Sequence, residues 1–200
     1  MENERVSKFF LIRHGQSVAS ESARRQRPSD ALSDKGRKQA RDLAESLPKV
    51  DTVSASTYKR AIETASYISS NVRVLEGIGE RGEDPRLEGA QRDSEINQRY
   101  LSEVKMQKDD PDYKFLDGES SREMFERAEK FLDNLTSWDP GTHVIVGHHL
   151  FLKSVIARAQ GGDLQTAWDI SLSHASISEV EYDREDGRWI VNSINQTPWK

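Results

Sequence analysis

The chain predicts an α/β fold with a mostly parallel sheet flanked by helices. Phe9–Ile12 and Val144–Val146 are short apolar runs without alternation, as expected of strands buried on both faces. Between them, apolar stripes at helical spacing alternate with further short runs, the pattern of repeated strand–helix units. The 200 residues, 34% hydrophobic and 32% charged, are enough for one domain with a full core, so a single domain over 1–200 is expected.

Composition excludes several classes of function. A net charge of −5 argues against a nucleic-acid-binding surface. No run approaches the length of a membrane-spanning helix, and no apolar segment follows a basic start as in a signal peptide, so no membrane partner is expected. Cysteine is absent, which removes disulfides and thiol chemistry, and a cytoplasmic location is the default expectation. There is no internal repeat and no Pro- or Gly-rich linker.

In chain order, Met1–Ser7 is a polar lead-in expected to fray. The first strand stops at Arg13, His14 and Gly15, which places a cation and an imidazole at the carboxyl edge of the sheet, where ligand sites collect. Gly15 lets the backbone turn sharply and a ligand approach. Val18–Asp30 then crosses that edge as a loop or short helix, and its cluster Arg24, Arg25 and Arg27 could attract anions, though such a cluster is more often a solvated face. Ser33 caps a helix with Ala40, Leu43, Ala44 and Leu47 on one stripe, and Pro48 ends it. Asp51–Ala55 is a strand and Ser56–Ser69 a helix, which brings Arg60 near the edge that carries His14.

Val72–Leu75 is a third strand, leading to a loop over 77–85 that mixes Gly77, Gly79 and Gly82 with acidic residues. Ser94–Met106 is weakly helical and lean in apolar residues, an insertion or lid over the edge, followed by an acidic connection to Gly118. Ser120 caps a helix over Arg122–Leu135 with Glu123 as its capping-box partner and Phe125, Ala128, Phe131, Leu132 and Leu135 buried. Val144–Val146 ends at Gly147, His148 and His149, with a helix from Leu150 to Ala159, and Ser176–Tyr182 with Arg188–Ile194 forms a closing hairpin.

Two strands thus end in a histidine beside a glycine. Two histidines with Arg13, Arg60 and a nearby glutamate suit phosphoryl transfer. Guanidinium forks match phosphate oxygens. A neutral imidazole can carry a phosphoryl group, and neighbouring arginines keep it unprotonated. A protonated carboxyl group can help expel the alcohol. Metal binding is disfavoured, because His148 and His149 are adjacent and point apart and no pair has the HExxH spacing. Neither metal nor cofactor is expected.

The sequence resembles the histidine phosphatase superfamily, in the branch that includes cofactor-dependent phosphoglycerate mutases. The resemblance runs from Phe9 to about Asn195. It rests on LIRHGQS (Leu11–Ser17), LSDKGRKQA (Leu32–Ala40), SASTYKRAIETA (Ser54–Ala65), Glu80-Arg81 with Leu87–Gly89, GES (Gly118–Ser120) and VGHH (Val146–His149). It implies a three-layer α/β fold with a small helical cap inserted at about 81–118. It also implies that His14 becomes phosphohistidine, that Arg13, Arg60 and His148 complete the phosphate pocket, and that Glu80 is the proton donor. Gln16 and Ser17 would line the mouth, and Arg81 would touch the substrate.

Two departures stand out. His149 occupies a position where members usually carry glycine; the strand-end position favours His148 as the pocket residue and leaves His149 as a substrate-side candidate. The acidic loop is one residue longer than usual, which makes Glu83 a rival to Glu80. Mutases of the family resemble longer chains with a larger, basic insertion, whereas Asp93–Asp117 is short and acidic or balanced. The expected activity is hydrolysis of a phosphomonoester. Mutase-type phosphoryl transfer and a non-catalytic phosphate-binding module are the alternatives. The expected partner is a small phosphorylated substrate, or a phosphoprotein; a homodimer is compatible with the sequence.

Overall fold

In the computed structural model, which describes residues 5–198, strand β1 (Val6–Arg13) lies between β4 (Gly141–Gly147) and β5 (Ile177–Asp183). The six-stranded sheet runs β3-β2-β4-β1-β5-β6, with β2 at Thr52–Ser56, β3 at Val72–Leu75 and β6 at Arg188–Gln196. The first four strands are parallel, and β5 and β6 form an antiparallel hairpin on one side.

Alternate side chains of β1 enter different layers. Phe10 and Ile12 pack with Leu43 of α1 (Asp34–Ser46) and Ala61 and Ala65 of α2 (Lys59–Ser66). Phe9 and Leu11 face Ala128, Leu132 and Leu135 of α5 (Ser121–Leu135) and Phe151, Leu152 and Val155 of α6 (His149–Ala159). Such two-sided burial is what an unalternating run requires. Between β3 and α5, the short helices α3 (Glu95–Glu103) and α4 (Met106–Asp109) are accompanied by a small cluster of Leu87, Tyr100 and Phe115. A further helix, α7 (Leu164–Asp169), precedes β5.

Several boundaries differ from those read along the chain. Val6 and Ser7 already belong to β1, since β5 supplies a ladder partner and Arg5 pairs with Asp183; residues 1–4 lie outside the described residues. Helix α2 begins at Lys59 because Ser56 is the last residue of β2. The buried stripe of α5 is Met124, Ala128, Leu132 and Leu135, and Phe125 and Phe131 are only half-buried beside it. Both predicted caps are present: Ser33 Oγ accepts from Gly36 N–H, and Ser120 forms a capping box with Glu123. No described helix is long and apolar enough to cross a membrane.

Candidate active site

Arg13 and Gly147 face each other in the parallel register, so the strand ends that precede His14 and His148 lie side by side. His14 N–H donates to Gly147 O at 3.0 Å. The loop beyond is held from two helices. Gly15 N–H donates to Thr64 Oγ1 (3.1 Å) on α2, and Gln16 N–H to Gln39 Oε1 (3.0 Å) on α1. The contact with α1 is backbone against backbone: a Cβ on Gly36 would stand 1.9 Å from Gln16 O, and one on Gly15 2.7 Å from Gly36 O.

The rings of His14 and His148 lie 5.1 Å apart, 2% and 0% exposed. Arg60 bridges them, Nε donating to His14 Nε2 (3.1 Å) and Nη2 to His148 Nδ1 (3.3 Å), while its Nη1 donates to Arg27 O (2.9 Å). Those donors assign the tautomers. His14 carries its proton on Nδ1, which donates to Gly15 O (2.7 Å), and keeps its lone pair on Nε2. His148 carries its proton on Nε2 and donates it to Ser56 Oγ (2.6 Å). Burial first, then Arg60, holds both imidazoles well below the ordinary histidine value, so both are neutral.

Arg13 donates to Leu172 O (2.6 Å) and to His174 Nε2 (3.1 Å). Burial lowers its guanidinium to about 10, and it stays charged at neutral pH. His174, whose ring is 5.7 Å from His14, is pushed down to about 3 by burial and Arg13. The next residue, Ala175, has φ 53°, and its N–H is shared by Arg13 O (3.0 Å) and His14 O (3.2 Å). His174 escaped the sequence reading. The available signal was the hairpin: a strand antiparallel to β1 starts at the edge where β1 ends, so residues just before β5 reach the same place.

Glu80 lines the cavity from the loop after β3. Its Oε1 accepts from Leu150 N–H (2.9 Å), Phe151 N–H (3.3 Å) and Arg81 N–H (3.2 Å), which ties it to the first turn of α6. Among the described residues Oε2 accepts no hydrogen bond, and it is the atom Glu80 can offer. Arg127 clamps this loop, donating to Gly77 O (2.7 Å), Gly79 O (3.1 Å) and Glu80 O (3.5 Å). Glu119 holds Arg127 in turn (2.7 and 2.9 Å) and takes Gly82 N–H (2.8 Å). Glu83 has both oxygens engaged by Arg25, whose guanidinium lies 4.2 Å from the centre of the Tyr100 ring.

These groups surround a cavity of about 530 Å³, with Arg13, Arg60, Glu80, Tyr58 and His174 in its wall. His14 and His148 do not line it themselves; Arg60, which does, touches both rings. His149 and Arg81 also reach the wall. His149 Nδ1 lies 3.2 Å from Leu172 O, and burial lowers the ring to about 4. Gln16 and Ser17 are not brought there. Gln16 Oε1 accepts from Ser33 Oγ (3.2 Å), and Ser17, fully buried, bonds Gln26 and Ser20. A cleft of about 350 Å³ at the amino edge of β2 contains no histidine. Among the described residues no three His, Cys, Asp or Glu side chains cluster as a metal would need.

The family model for the histidine phosphatase superfamily (branch 1) matches residues 9–197. A protein of Hydrogenobacter thermophilus named "Putative phosphoserine phosphatase 2" is 28% identical over 191 residues, covering 90% of this chain and 92% of its own. The alpha-ribazole phosphatase structure from Shigella flexneri superposes with a TM-score of 0.81 at 22% identity, over 95% of this chain and 96% of that one. A mycobacterial glucosyl-3-phosphoglycerate phosphatase gives 0.79 at 21% identity, over 96% of this chain and all (100%) of the other.

Proposed function

The chain belongs to the histidine phosphatase superfamily, and from that premise we propose that it is a phosphomonoesterase working through a phosphohistidine on His14. The observation that carries this is the His14 tautomer: a buried, neutral ring with its Nδ1 proton fixed on Gly15 O and its Nε2 lone pair directed at the Arg60 guanidinium. A phosphoryl group would take over the Arg60 and Arg13 donors and bring phosphorus to that lone pair.

Nε2 then bonds to phosphorus as the ester P–O bond breaks. Glu80 Oε2, in its protonated form, gives its proton to the departing alkoxide, and Oε1 stays anchored on α6. In the second half Glu80 takes a proton from water, the water oxygen bonds to phosphorus, and the P–N bond breaks. Inorganic phosphate leaves, with His14 neutral and Glu80 protonated again. His148 completes the pocket: it holds Arg60, and once the anion offsets the arginines its Nδ1 can be protonated and donate to a phosphoryl oxygen. Glu80 is favoured over Glu83 because Arg25 occupies both Glu83 oxygens. His149 and Arg81 belong to the substrate side. The cavity size favours a small phosphorylated substrate.

The test is phosphate release from p-nitrophenyl phosphate in the presence of a chelator, with trapping of the labelled enzyme. Activity should survive chelation, vanish in His14→Ala, and leave 32P on His14 in the wild type. Wild-type turnover in His14→Ala would refute the mechanism. Transfer between phosphoglycerates outpacing release of phosphate would favour a mutase instead.

A further inference from the structure

The chemistry above gives no part to His174, although its ring lies 5.7 Å from that of His14 and lines the same cavity wall as Arg13. What His174 does touch is Arg13. The short segment 172–176 grips that arginine at both ends. Along the backbone, Ala175 N–H donates to Arg13 O (3.0 Å) and Arg13 N–H donates to Ser176 O (3.2 Å). At the guanidinium, Nη1 donates to Leu172 O (2.6 Å) and Nη2 to His174 Nε2 (3.1 Å). The segment is itself fixed from outside. Ser173 N–H donates to Asn195 Oδ1 (2.6 Å), Asn195 N–H donates to Ser178 Oγ (3.1 Å), and His149 Nδ1 brings a second donor to Leu172 O (3.2 Å). The two acceptors are thus in place before any anion arrives.

This grip is made without an opposite charge. Arginines elsewhere are held by carboxylates: Arg24 by Asp30, Arg25 by Glu83 and Arg86 by Asp84. Arg13 is held by a carbonyl and by an imidazole that burial, and then Arg13 itself, keeps neutral. Arg60 follows the same rule, since its acceptors are Arg27 O and the neutral rings of His14 and His148. The difference matters for binding. A carboxylate would fix the guanidinium more firmly, but it would offset the charge that a phosphoryl group has to meet. An uncharged acceptor fixes it and leaves that charge whole. Arg13 Nε is buried and has no acceptor among the described residues, so its N–H is left for an incoming anion.

We propose that His174 is a positioning residue for Arg13: an uncharged acceptor that aims the guanidinium at the phosphoryl group without offsetting its charge. The assignment rests on the reading of this cavity as a phosphate pocket, and it concerns binding of the anion rather than hydrolysis.

The experiment compares His174→Gln, His174→Glu and His174→Leu. Gln keeps an uncharged acceptor, its Oε1 reaching where the imidazole Nε2 stands; Glu puts a carboxylate there; Leu removes the acceptor. Calorimetry with inorganic phosphate reads binding, p-nitrophenyl phosphate reads turnover, and a thermal melt checks that each variant is folded. The Gln protein should bind phosphate within about threefold of wild type, and the Leu and Glu proteins at least about tenfold more weakly. KM for the ester should follow the same order. A side chain that merely fills space would rank Gln with Glu, which share one shape. Wild-type affinity in the Leu protein, or a Gln protein as weak as Leu, would overturn the assignment. So would a Glu protein that binds as tightly as Gln, a comparison that does not need the Leu protein to fold. Phosphate binding in the expected order without hydrolysis of the ester would overturn the phosphatase proposal and leave the assignment standing. Hydrolysis with no such order among the variants would do the reverse, and a wild type that binds no phosphate would overturn both.

Discussion

Replacing Gly36 by alanine tests how the nucleophile loop is positioned. The new Cβ would stand 1.9 Å from Gln16 O, and such contacts are essentially never below 3.0 Å, so the two backbones must part by at least 3.0 − 1.9 = 1.1 Å. Neither partner is a flexible side-chain end. Alanine regains about 1 kcal/mol of helix propensity, against an overpacking cost of about 1–3 kcal/mol or more. The net loss, about 0–2 kcal/mol, lowers Tm by up to about 8 °C in a chain of this size. The effect on chemistry is larger. Gln16 is two residues from His14, and a shift of about 1 Å in a reacting group costs about 10²-fold in rate. Thermal melts alongside kcat/KM on p-nitrophenyl phosphate should show a modest loss of stability and a disproportionate loss of activity. Wild-type activity in a stable Gly36→Ala protein would refute the claim that α1 sets the position of the loop.

Glu80→Gln should lower kcat by about 10²–10⁴-fold on an alkyl phosphate and much less on p-nitrophenyl phosphate, whose leaving group needs no proton. Glu83→Gln should show no such leaving-group dependence, and the reverse pattern would exchange their roles. Arg127→Ala releases the carbonyls of Gly77, Gly79 and Glu80; it should impair alkyl phosphate hydrolysis more than p-nitrophenyl phosphate hydrolysis, and equal losses would count against a positioning role. All five histidines have lowered values, through burial in each case. Below about pH 6.5 the unfolded chain binds protons that the folded chain refuses, so stability is full above that pH and falls as pH drops from there toward 4. Each fully buried histidine contributes up to about 1.4 kcal/mol per pH unit. Urea midpoints should therefore fall between about pH 7.5 and about pH 5, and equal midpoints would contradict the burial argument.

The strand ends bearing His14 and His148 were legible because uninterrupted apolar runs stop abruptly at polar residues, and the helix after β2 brought Arg60 to them. Features set by pairing between distant segments were not. His174 reaches the site through the antiparallel strand that follows it. The choice between Glu80 and Glu83 depends on Arg25, which lies 58 positions before Glu83. Arg24, Arg25 and Arg27 read as one cluster, solvated or anion-attracting, yet they part: Arg24 pairs with Asp30, Arg25 with Glu83, and both Arg25 and Arg27 line the cavity. Gln16 and Ser17 follow His14 directly, but the turn at Gly15 sends them toward α1 and the interior.

The backbone pairing of residues 23–25 with 90–92 lies outside the six-stranded sheet. Its two strips of chain run antiparallel beside the mouth, and Arg25 carries one of them onto Glu83, Asn97 and the Tyr100 ring. Side chains on both strips can be varied without altering a strand of the sheet, provided that the Arg24–Asp30 and Arg25–Glu83 pairs are kept. Libraries that vary both strips together should change which ester is accepted while sparing folding, whereas varying one strip alone would break the seam between them.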